Sequence, residues 1–421
     1  MSTYKREGGK MEPRSHMFPL SYAQMSMVYQ QVFTTESLVN QVCFRLVFSG
    51  HIDSKLFNQA LAIVSDHNEA LRTIYLYESP GKTYQKVMPS RLIPLIPAKF
   101  DMVHPPYRSL LKELDISSCP MKLYFGIIED KTILLYCWHH ILMDGWSNLI
   151  FLNELFQVYQ SLAARQQVAL PPRSYYSDFI GYLQKKSVKR KNQAYWSEYL
   201  TNGPIASHQE EFIGNVGFVS MEYPCEEMDN AKLNVTASAI YYAAWALLLS
   251  FVEKTNYVCF GATFSGRNIP VKNIRTTIGM FINTLPICCR LSPDMYVTDF
   301  VTGIMMDILN HAEHEHISST DIRRLMGRYD TAPLYRSIVV VENYPTGLQF
   351  PEGMEFKGYD IRECAAVSIV LGIVPIQNKL VIQYNRDEFE EADVHQLLSA
   401  YKKLIDSMIA NPHVRIGYIS M

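Results

Sequence analysis

A strand, a sharp turn and a helix are predicted in direct succession between residues 132 and 159. This unit constrains the fold more than any other part of the sequence. Residues 132–138 are apolar almost throughout (Thr-Ile-Leu-Leu-Tyr-Cys-Trp), which is typical of a strand buried on both faces. From Trp146 to Tyr159 apolar residues recur at helical spacing. His139 and His140 occupy the turn, so two titratable side chains are held between rigid elements of an α/β fold.

The turn carries residue types that suit proton transfer. Histidine is the side chain best able to accept or donate a proton near neutral pH. Asp144 follows four residues after His140 and keeps a carboxylate close by. Gly145 comes next and lets the chain turn sharply. The histidine pair, Asp144 and Gly145 are therefore candidates for a catalytic turn.

Strands and helices alternate in both halves of the chain, which predicts two α/β lobes. The predicted elements include strands at 40–48, 71–77, 257–263, 337–343 and 380–384, a buried helix at 239–252 and a final amphipathic helix that ends at Asn411. Between 164 and 172 the composition shifts to Gln, Ala and two prolines, as at a boundary. We therefore expect a polar, disordered leader at 1–17, an N-terminal lobe at 18–172 and a C-terminal lobe at 173–421.

Charge and cysteine content limit the partners and the cellular compartment that we expect for the protein. The net charge of −2, with Lys and Arg scattered, indicates neither a nucleic-acid nor a membrane partner. The basic run at 185–191 is interpreted as a solvated helix face, with a docking patch for an acidic carrier as the alternative. The eight cysteines lack regular spacing and no apolar signal segment begins the chain, which predicts free thiols and a cytoplasmic protein. The apolar run at 239–252 is too short to span a bilayer.

Further motifs resemble, in order along the chain, those of the condensation domains of nonribosomal peptide synthetases. The His-His-x-x-x-Asp-Gly sequence at 139–145 is the third of them. The others are Ser-Tyr-Ala-Gln at 21–24, Glu-Ala-Leu-Arg-Thr at 69–73, Tyr-Ser-Asp-Phe at 176–179, Ile-Gly-Met-Phe-Ile-Asn-Thr-Leu-Pro at 278–286 and a looser Arg-Tyr-Asp-Thr-Ala-Pro-Leu at 328–334, followed by Val-Glu-Asn-Tyr-Pro at 341–345. The resemblance extends from about residue 18 to the C-terminus.

The resemblance implies two chloramphenicol-acetyltransferase-like lobes in a V-shaped pseudo-dimer with a central tunnel. It implies that His140 acts on the attacking amine, as a base or by orienting it, and that His139 is structural. It also implies that Asp144 pairs with Arg267 to brace the site and that the donor thioester passes Gly145.

The predicted site thus has three groups of residues. The catalytic set is His140, Asp144 and Gly145, the structural support is His139, Arg267 and Arg72, and the tunnel is lined by Trp146, Ser147, Ser265, Asn283 and Asn343. No metal is predicted, because the spacing of the motif does not match a ligand set. His311, His314 and His316 are interpreted as a solvated helix face.

The leading hypothesis for function is amide bond formation between a donor acyl thioester and an acceptor amine. Both substrates would arrive on phosphopantetheinyl carrier proteins, with no cofactor in the domain itself and with adjoining synthetase domains as neighbours. The alternatives are an epimerization domain, a free-standing ester- or amide-forming acyltransferase, and a non-enzymatic recruitment module on the same fold. Two departures bear on the substrate subtype: His-Ala-Glu-His-Glu-His-Ile at 311–317 replaces the family's sixth motif, and the last motif lacks a Ser-Arg pair.

Overall fold

The computed structural model describes residues 16–33, 38–79, 82–90, 93–201, 218–224, 233–327, 334–342, 349–350, 353–364, 367–375 and 378–419. The strands in these ranges are β1 (His16–Pro19), β2 (Gln41–Ser49), β3 (Thr73–Ser79), β4 (Lys82–Val87), β5 (Leu95–Pro97), β6 (Met121–Ile128), β7 (Lys131–His139), β8 (Phe218–Pro224), β9 (Tyr257–Phe264), β10 (Asn283–Arg290), β11 (Ser337–Val341), β12 (Phe356–Glu363), β13 (Ile369–Val374) and β14 (Lys379–Asn385). The helices are α1 (Tyr22–Phe33), α2 (Ser54–His67), α3 (Tyr107–Lys112), α4 (Gly145–Ala163), α5 (Tyr176–Leu183), α6 (Lys186–Thr201), α7 (Ala237–Glu253), α8 (Val297–Glu313), α9 (Ser319–Leu325) and α10 (Glu391–Ala410).

Within the described ranges the strands form three sheets. The small one has the order β1-β4-β3, and the two large ones have the orders β12-β2-β7-β6-β5 and β10-β9-β11-β13-β14-β8. Each large sheet takes most of its strands from one half of the chain, so the protein is an α/β structure with two lobes.

Strand β7 is buried on both faces, as its apolar sequence predicts. On one face Leu134 and Tyr136 belong to the same core as Phe151 of α4. On the other face Leu135 packs in a separate cluster with Leu111 of α3. Because helices cover both faces of the sheet here, polar and apolar residues do not alternate along the strand.

The C-terminal lobe is organised around α7, which coincides with the predicted buried helix and extends slightly beyond it. Trp245 on this helix donates a hydrogen bond from Nε1 to Oγ of Ser337 on β11, at 3.0 Å. On the α10 side, the hydroxyl of Tyr401 donates to the backbone carbonyl of Tyr241 at 3.0 Å. The indole N–H and the tyrosine hydroxyl thus have hydrogen-bond partners inside an otherwise apolar core.

Two expected boundaries differ from the structure. Strand β12, from the C-terminal half, crosses over and pairs antiparallel with β2 at the edge of the N-terminal sheet. The expected division after residue 172 did not include this exchange. His16 and Met17, expected in the leader, pair with Val87 and Lys86 of β4. Both differences come from hydrogen-bond partners that are distant in the sequence and leave no local signal.

The expectation of free thiols is wrong for one pair. Cys43 and Cys137 lie directly opposite each other on β2 and β7 and form a disulfide. Cysteines elsewhere in the described part of the chain are free. No helix in the described ranges combines the length and the apolar character needed to cross a membrane.

The prediction of a solvated helix face at His311, His314 and His316 is wrong for the first and the last, whereas His314 is partly exposed. His311 is fully buried, with Nδ1 bonded to the hydroxyl of Tyr195 at 2.8 Å and Nε2 to the carbonyl of Pro286 at 3.1 Å. His316 is buried as well. Burial lowers the pKa of both His311 and His316 to about 4, so both are neutral core residues at physiological pH.

Candidate active site

His139 ends strand β7 and points into the core. Its side chain is almost fully buried, and Nδ1 accepts a hydrogen bond from the backbone N–H of Ile141 at 3.1 Å. Burial, and to a lesser extent the neighbouring His140, lowers the pKa of His139 to about 3. The ring is therefore neutral, and it shapes the turn through its bond to Ile141.

His140 is the histidine that remains reachable. Its backbone N–H donates to the carbonyl of Asn40 at 2.6 Å, which anchors the residue to the start of β2. Its side chain is 12% exposed, and Nε2 lies 3.7 Å from Oε1 of Glu363 on β12. The other ring nitrogen, Nδ1, is buried and has no hydrogen-bond partner among the described residues. Proton exchange at His140 must therefore take place at Nε2.

Asp144 is fully buried and caps the N-terminus of α4. Oδ1 accepts from the N–H of Ser147 at 2.7 Å and from Nη2 of Arg267 at 3.1 Å, and Oδ2 accepts from the N–H of Phe281 at 3.0 Å. The carboxylate is thus saturated by charge-assisted bonds and a helix N-terminus. This geometry corrects the placement of Asp144 in the catalytic set, because no oxygen is left to act on a substrate.

Arg267 supplies the positive charge that balances Asp144. Its side chain is buried, and Nη1 donates to the carbonyls of Ile274 at 2.7 Å and Thr277 at 2.9 Å. The guanidinium lies 4.0 Å above the ring of Phe281. Burial lowers the pKa of Arg267, and the Asp144 carboxylate counteracts that effect. The Asp144–Arg267 pair implied by the resemblance is present.

Ser147 completes this network and does not line a tunnel. It is fully buried, its Oγ donates to the carbonyl of Gly279 at 2.8 Å, and it accepts from the Gly279 N–H at 3.0 Å and from Nη2 of Arg267 at 2.7 Å. We call Asp144, Ser147, Arg267 and residues 279–281 the interlobe clamp. It ties the turn after β7 to the segments on either side of the short helical turn at 274–276, which follows β9 in the C-terminal half.

Two glycines make the clamp possible. Gly266 has a φ of +68°, and a Cβ there would lie 1.8 Å from the carbonyl oxygen of Phe281. A Cβ on Gly279 would lie 2.3 Å from the ring of Tyr176. Both positions therefore need a residue without a side chain.

The other residues predicted to line the tunnel differ in their exposure and in their hydrogen bonds. The indole N–H of Trp146 donates to the carbonyl of Arg275 at 3.1 Å. This bond holds the indole against the loop beside the clamp. Ser265 is exposed. The amide of Asn283 donates to the carbonyls of Glu315 and Ile317, both at 2.8 Å, so its Nδ2 holds the chain and is not free for a ligand. Asn343 lies outside the described residues.

Gly145 and Arg72 flank the motif in different ways. Gly145 is the first residue of α4 and is partly exposed. Arg72 is buried, and its guanidinium donates to the carbonyls of Ser65 and Pro89, each at 3.2 Å. Burial lowers the pKa of Arg72, with Glu69 opposing that effect. These hydrogen bonds brace the N-terminal lobe and do not reach the histidine turn.

Two acidic residues near the site were not among the predicted site residues. Glu363 ends β12 and faces His140. Glu342 follows β11, and its N–H donates to the carbonyl of Ile373 at 2.8 Å. Burial, and then the charge of Glu363, raises the pKa of Glu342 to about 7. Only the crossing of β12 reveals that a carboxylate from residue 363 meets a histidine from residue 140.

The family of the chain follows from a family-model match. The model for the condensation domain matches residues 14–421. The chain belongs to the condensation domain family. The resemblance seen in the ordered motifs is thereby confirmed, and the chain is of the type found in nonribosomal peptide synthetases.

Curated relatives of this condensation domain are large synthases. It is 24% identical over 449 residues to gramicidin S synthase 2 of Aneurinibacillus migulanus, a match that covers 99% of this chain and 10% of the relative. It is 23% identical to surfactin synthase subunit 3 of Bacillus subtilis (strain 168), covering 96% of this chain and 34% of that one. The chain therefore spans less than two thirds of the length of these relatives.

Solved condensation domains share the fold. The starter condensation domain of rhizomide synthetase, in complex with C8-CoA, superposes with a TM-score of 0.82 at 18% identity, covering 96% of this chain and 97% of that one. The condensation domain of monacolin K polyketide synthase MokA gives a TM-score of 0.81 at 16% identity, covering 95% and 99%. The expected two-lobed α/β fold is confirmed.

Proposed function

We propose that this condensation domain forms an amide bond between a donor acyl or peptidyl thioester and the amine of an acceptor aminoacyl thioester. Both substrates arrive on the phosphopantetheine arms of carrier proteins. The observation that carries the proposal is a contrast within one turn. His139 and Asp144 are buried and out of reach of a substrate, whereas His140 keeps an accessible Nε2 at the end of a rigid strand.

The chemistry needs one proton acceptor at this place. The acceptor nitrogen attacks the thioester carbonyl, the C–N bond forms, the C–S bond breaks and the nitrogen loses a proton. Nε2 of His140 takes that proton and then delivers it to the departing donor thiolate, which leaves as the thiol. A positioned general base of this kind contributes about a hundredfold to ten-thousandfold in rate. Asp144 cannot replace it, because its oxygens accept bonds from the clamp.

The relatives support the thioester substrates and the setting. Gramicidin S synthase 2 and surfactin synthase subunit 3 contain segments similar to this chain, and a condensation domain of the same fold has been solved with C8-CoA. We accordingly propose a cytoplasmic domain that works with donor and acceptor carrier proteins and with adjoining synthetase domains. Phosphopantetheine is part of the substrates, and the domain needs no cofactor of its own.

Product analysis tests the proposal directly. The protein is mixed with a donor-loaded and an acceptor-loaded carrier, and the acceptor carrier is examined by mass spectrometry for the condensed product. Inversion of a carrier-bound residue without condensation would show an epimerization domain instead. Product from a free amine or alcohol only would show a free-standing acyltransferase, and carrier binding without any product would show a recruitment module.

A further inference from the structure

The register of the N-terminal sheet places Glu363 beside His140. Glu363 on β12 pairs with Val42 on β2, and Val42 pairs with Trp138 on β7. Trp138 precedes His140 by two residues, and His140 follows directly after the end of β7. The crossing of β12 therefore brings a carboxylate from the C-terminal half to the histidine turn.

Backbone hydrogen bonds hold the two residues at this separation. The N–H of Cys364 donates to the carbonyl of Gln41 at 3.2 Å, and the N–H of Asn40 donates to the carbonyl of Cys364 at 2.9 Å. The N–H of His140 in turn donates to the carbonyl of Asn40 at 2.6 Å. The backbones on both sides of the Glu363–His140 contact thus belong to one continuous ladder.

The side chains face each other at the accessible nitrogen. Oε1 of Glu363 lies 3.7 Å from Nε2 of His140, and the side chains are 34% and 12% exposed. Since Nδ1 is buried, any proton that His140 accepts goes onto Nε2, next to this carboxylate. A carboxylate at that distance favours the imidazolium over the neutral ring.

Other titratable groups on the neighbouring elements are buried, paired or shifted in pKa. His139 is neutral because burial lowers its pKa to about 3. Asp144 is paired with Arg267 in the clamp. Lys379 of β14 is bonded to Glu222 at 2.7 Å, and the pKa of Glu342 is raised to about 7. Among the described residues, Glu363 is the carboxylate at ion-pair distance from Nε2.

We propose that Glu363 is a positioning residue that acts through His140. Its carboxylate orients the ring and stabilises the imidazolium that forms when Nε2 takes the proton of the acceptor amine. The inference rests on the proposed function and deepens it. A carboxylate in this position assists a histidine that acts as a base, whereas a histidine that only orients a neutral amine gains nothing from it.

Charge removal at constant shape tests the role of Glu363. Glu363→Gln should lower kcat about tenfold and leave the KM for the acceptor carrier unchanged. Glu363→Asp should restore part of the rate. Glu355→Gln is the matched control, since Glu355 precedes the same strand, is exposed and contacts Lys357.

Combination with a histidine variant separates this role from a structural one. Adding Glu363→Gln to His140→Ala should cause no further loss of rate, because the carboxylate then has no imidazole to act on. An equal loss in both backgrounds, or a Glu363→Gln protein with the rate of wild type, would overturn the inference.

A second readout does not depend on turnover. The ring proton resonances of His140, assigned by their loss in His140→Ala, are compared by NMR at one pH. They should shift in Glu363→Gln, because the ring loses the carboxylate that lies 3.7 Å from Nε2, and they should stay unchanged in Glu355→Gln. If wild type makes no product but the resonances shift in Glu363→Gln, the proposed function fails and the His140–Glu363 coupling stands. Unmoved resonances in Glu363→Gln refute the coupling itself.

Discussion

The interlobe clamp and the His140–Glu363 pair are neighbours in the structure and follow opposite rules. In the clamp, a buried aspartate and a buried arginine are surrounded by hydrogen-bond partners at 2.7–3.1 Å. In the pair, two partly exposed groups face each other at 3.7 Å, beyond hydrogen-bonding distance. A saturated, buried charge stabilises a fold and cannot react, whereas an accessible group with a free nitrogen can exchange protons.

The largest effect is expected at the border between the two regions, at Gly145. A bulky side chain in Gly145→Trp should abolish turnover from a carrier-bound donor by blocking its path, with little change in acceptor-carrier binding. The fold should tolerate the change, because Gly145 does not have the positive φ seen at Gly266. Titrations with donor and acceptor carriers and a circular-dichroism melt measure these effects.

A control for Gly145→Trp is available on an exposed helix surface. Gly303 on α8 has no atom within 4 Å of the position of a Cβ, so Gly303→Trp adds the same bulk where no substrate passes. Undiminished turnover in a folded Gly145→Trp protein would show that the donor takes another route.

Breaking the clamp should affect stability most. Asp144→Ala and Arg267→Ala should each lower the free energy of unfolding by about 3–5 kcal/mol, because each leaves a buried charge without its partner. The double variant should lose clearly less than the sum of the two. Urea unfolding measures this, with Asp294→Ala as control, since the Asp294–Arg415 pair is exposed and should contribute little. Strictly additive losses would contradict the coupling.

Removing the imidazole of His140 should lower activity and leave stability unchanged. His140→Ala should lower the rate of condensation by about a hundredfold or more without a change in melting temperature. His395→Ala, at an exposed position on α10, is the matched control and should behave as wild type. A near-normal rate of product formation in His140→Ala would remove the catalytic role of this residue.

The smallest effect is expected at Ser147, and it distinguishes a role in the clamp from a role in lining the substrate tunnel. Ser147→Ala should lower the free energy of unfolding by about 1–3 kcal/mol, because it leaves the buried N–H of Gly279 without its partner, whereas the Gly279 carbonyl still accepts from the N–H of Asp144 at 3.2 Å. The KM for either carrier should not change. A raised KM with unchanged stability would instead return Ser147 to the substrate path.

Local patterns predicted much of the fold. Ser21 and Gln24 have the three-residue spacing of a capping box, and both of its bonds form: the Ser21 N–H donates to Oε1 of Gln24 at 3.0 Å and the Gln24 N–H donates to Oγ of Ser21 at 3.2 Å. The strand before the histidines and the buried helix α7 also match their predicted places within a few residues. Such features depend on neighbours within one or two turns of chain.

Predictions failed where a remote partner decides the outcome. His311 and His316 alternate with acidic residues like a solvated face, yet the fold encloses them. Ser147 belongs to a motif associated with the site, yet Gly279 and Arg267 draw it into the clamp. In both cases the residue type is compatible with either environment, so the sequence cannot choose between them.

By itself, the sequence determined the strand–turn–helix unit, the order of the family's motifs and the presence of His140 at the turn. Tertiary structure alone decided that Cys43 meets Cys137 and that Glu363 faces Nε2 of His140. The physical reason is the pairing of strands. Backbone hydrogen bonds join residues that are far apart in the chain. The side chains that are brought together in this way show no pattern in the sequence.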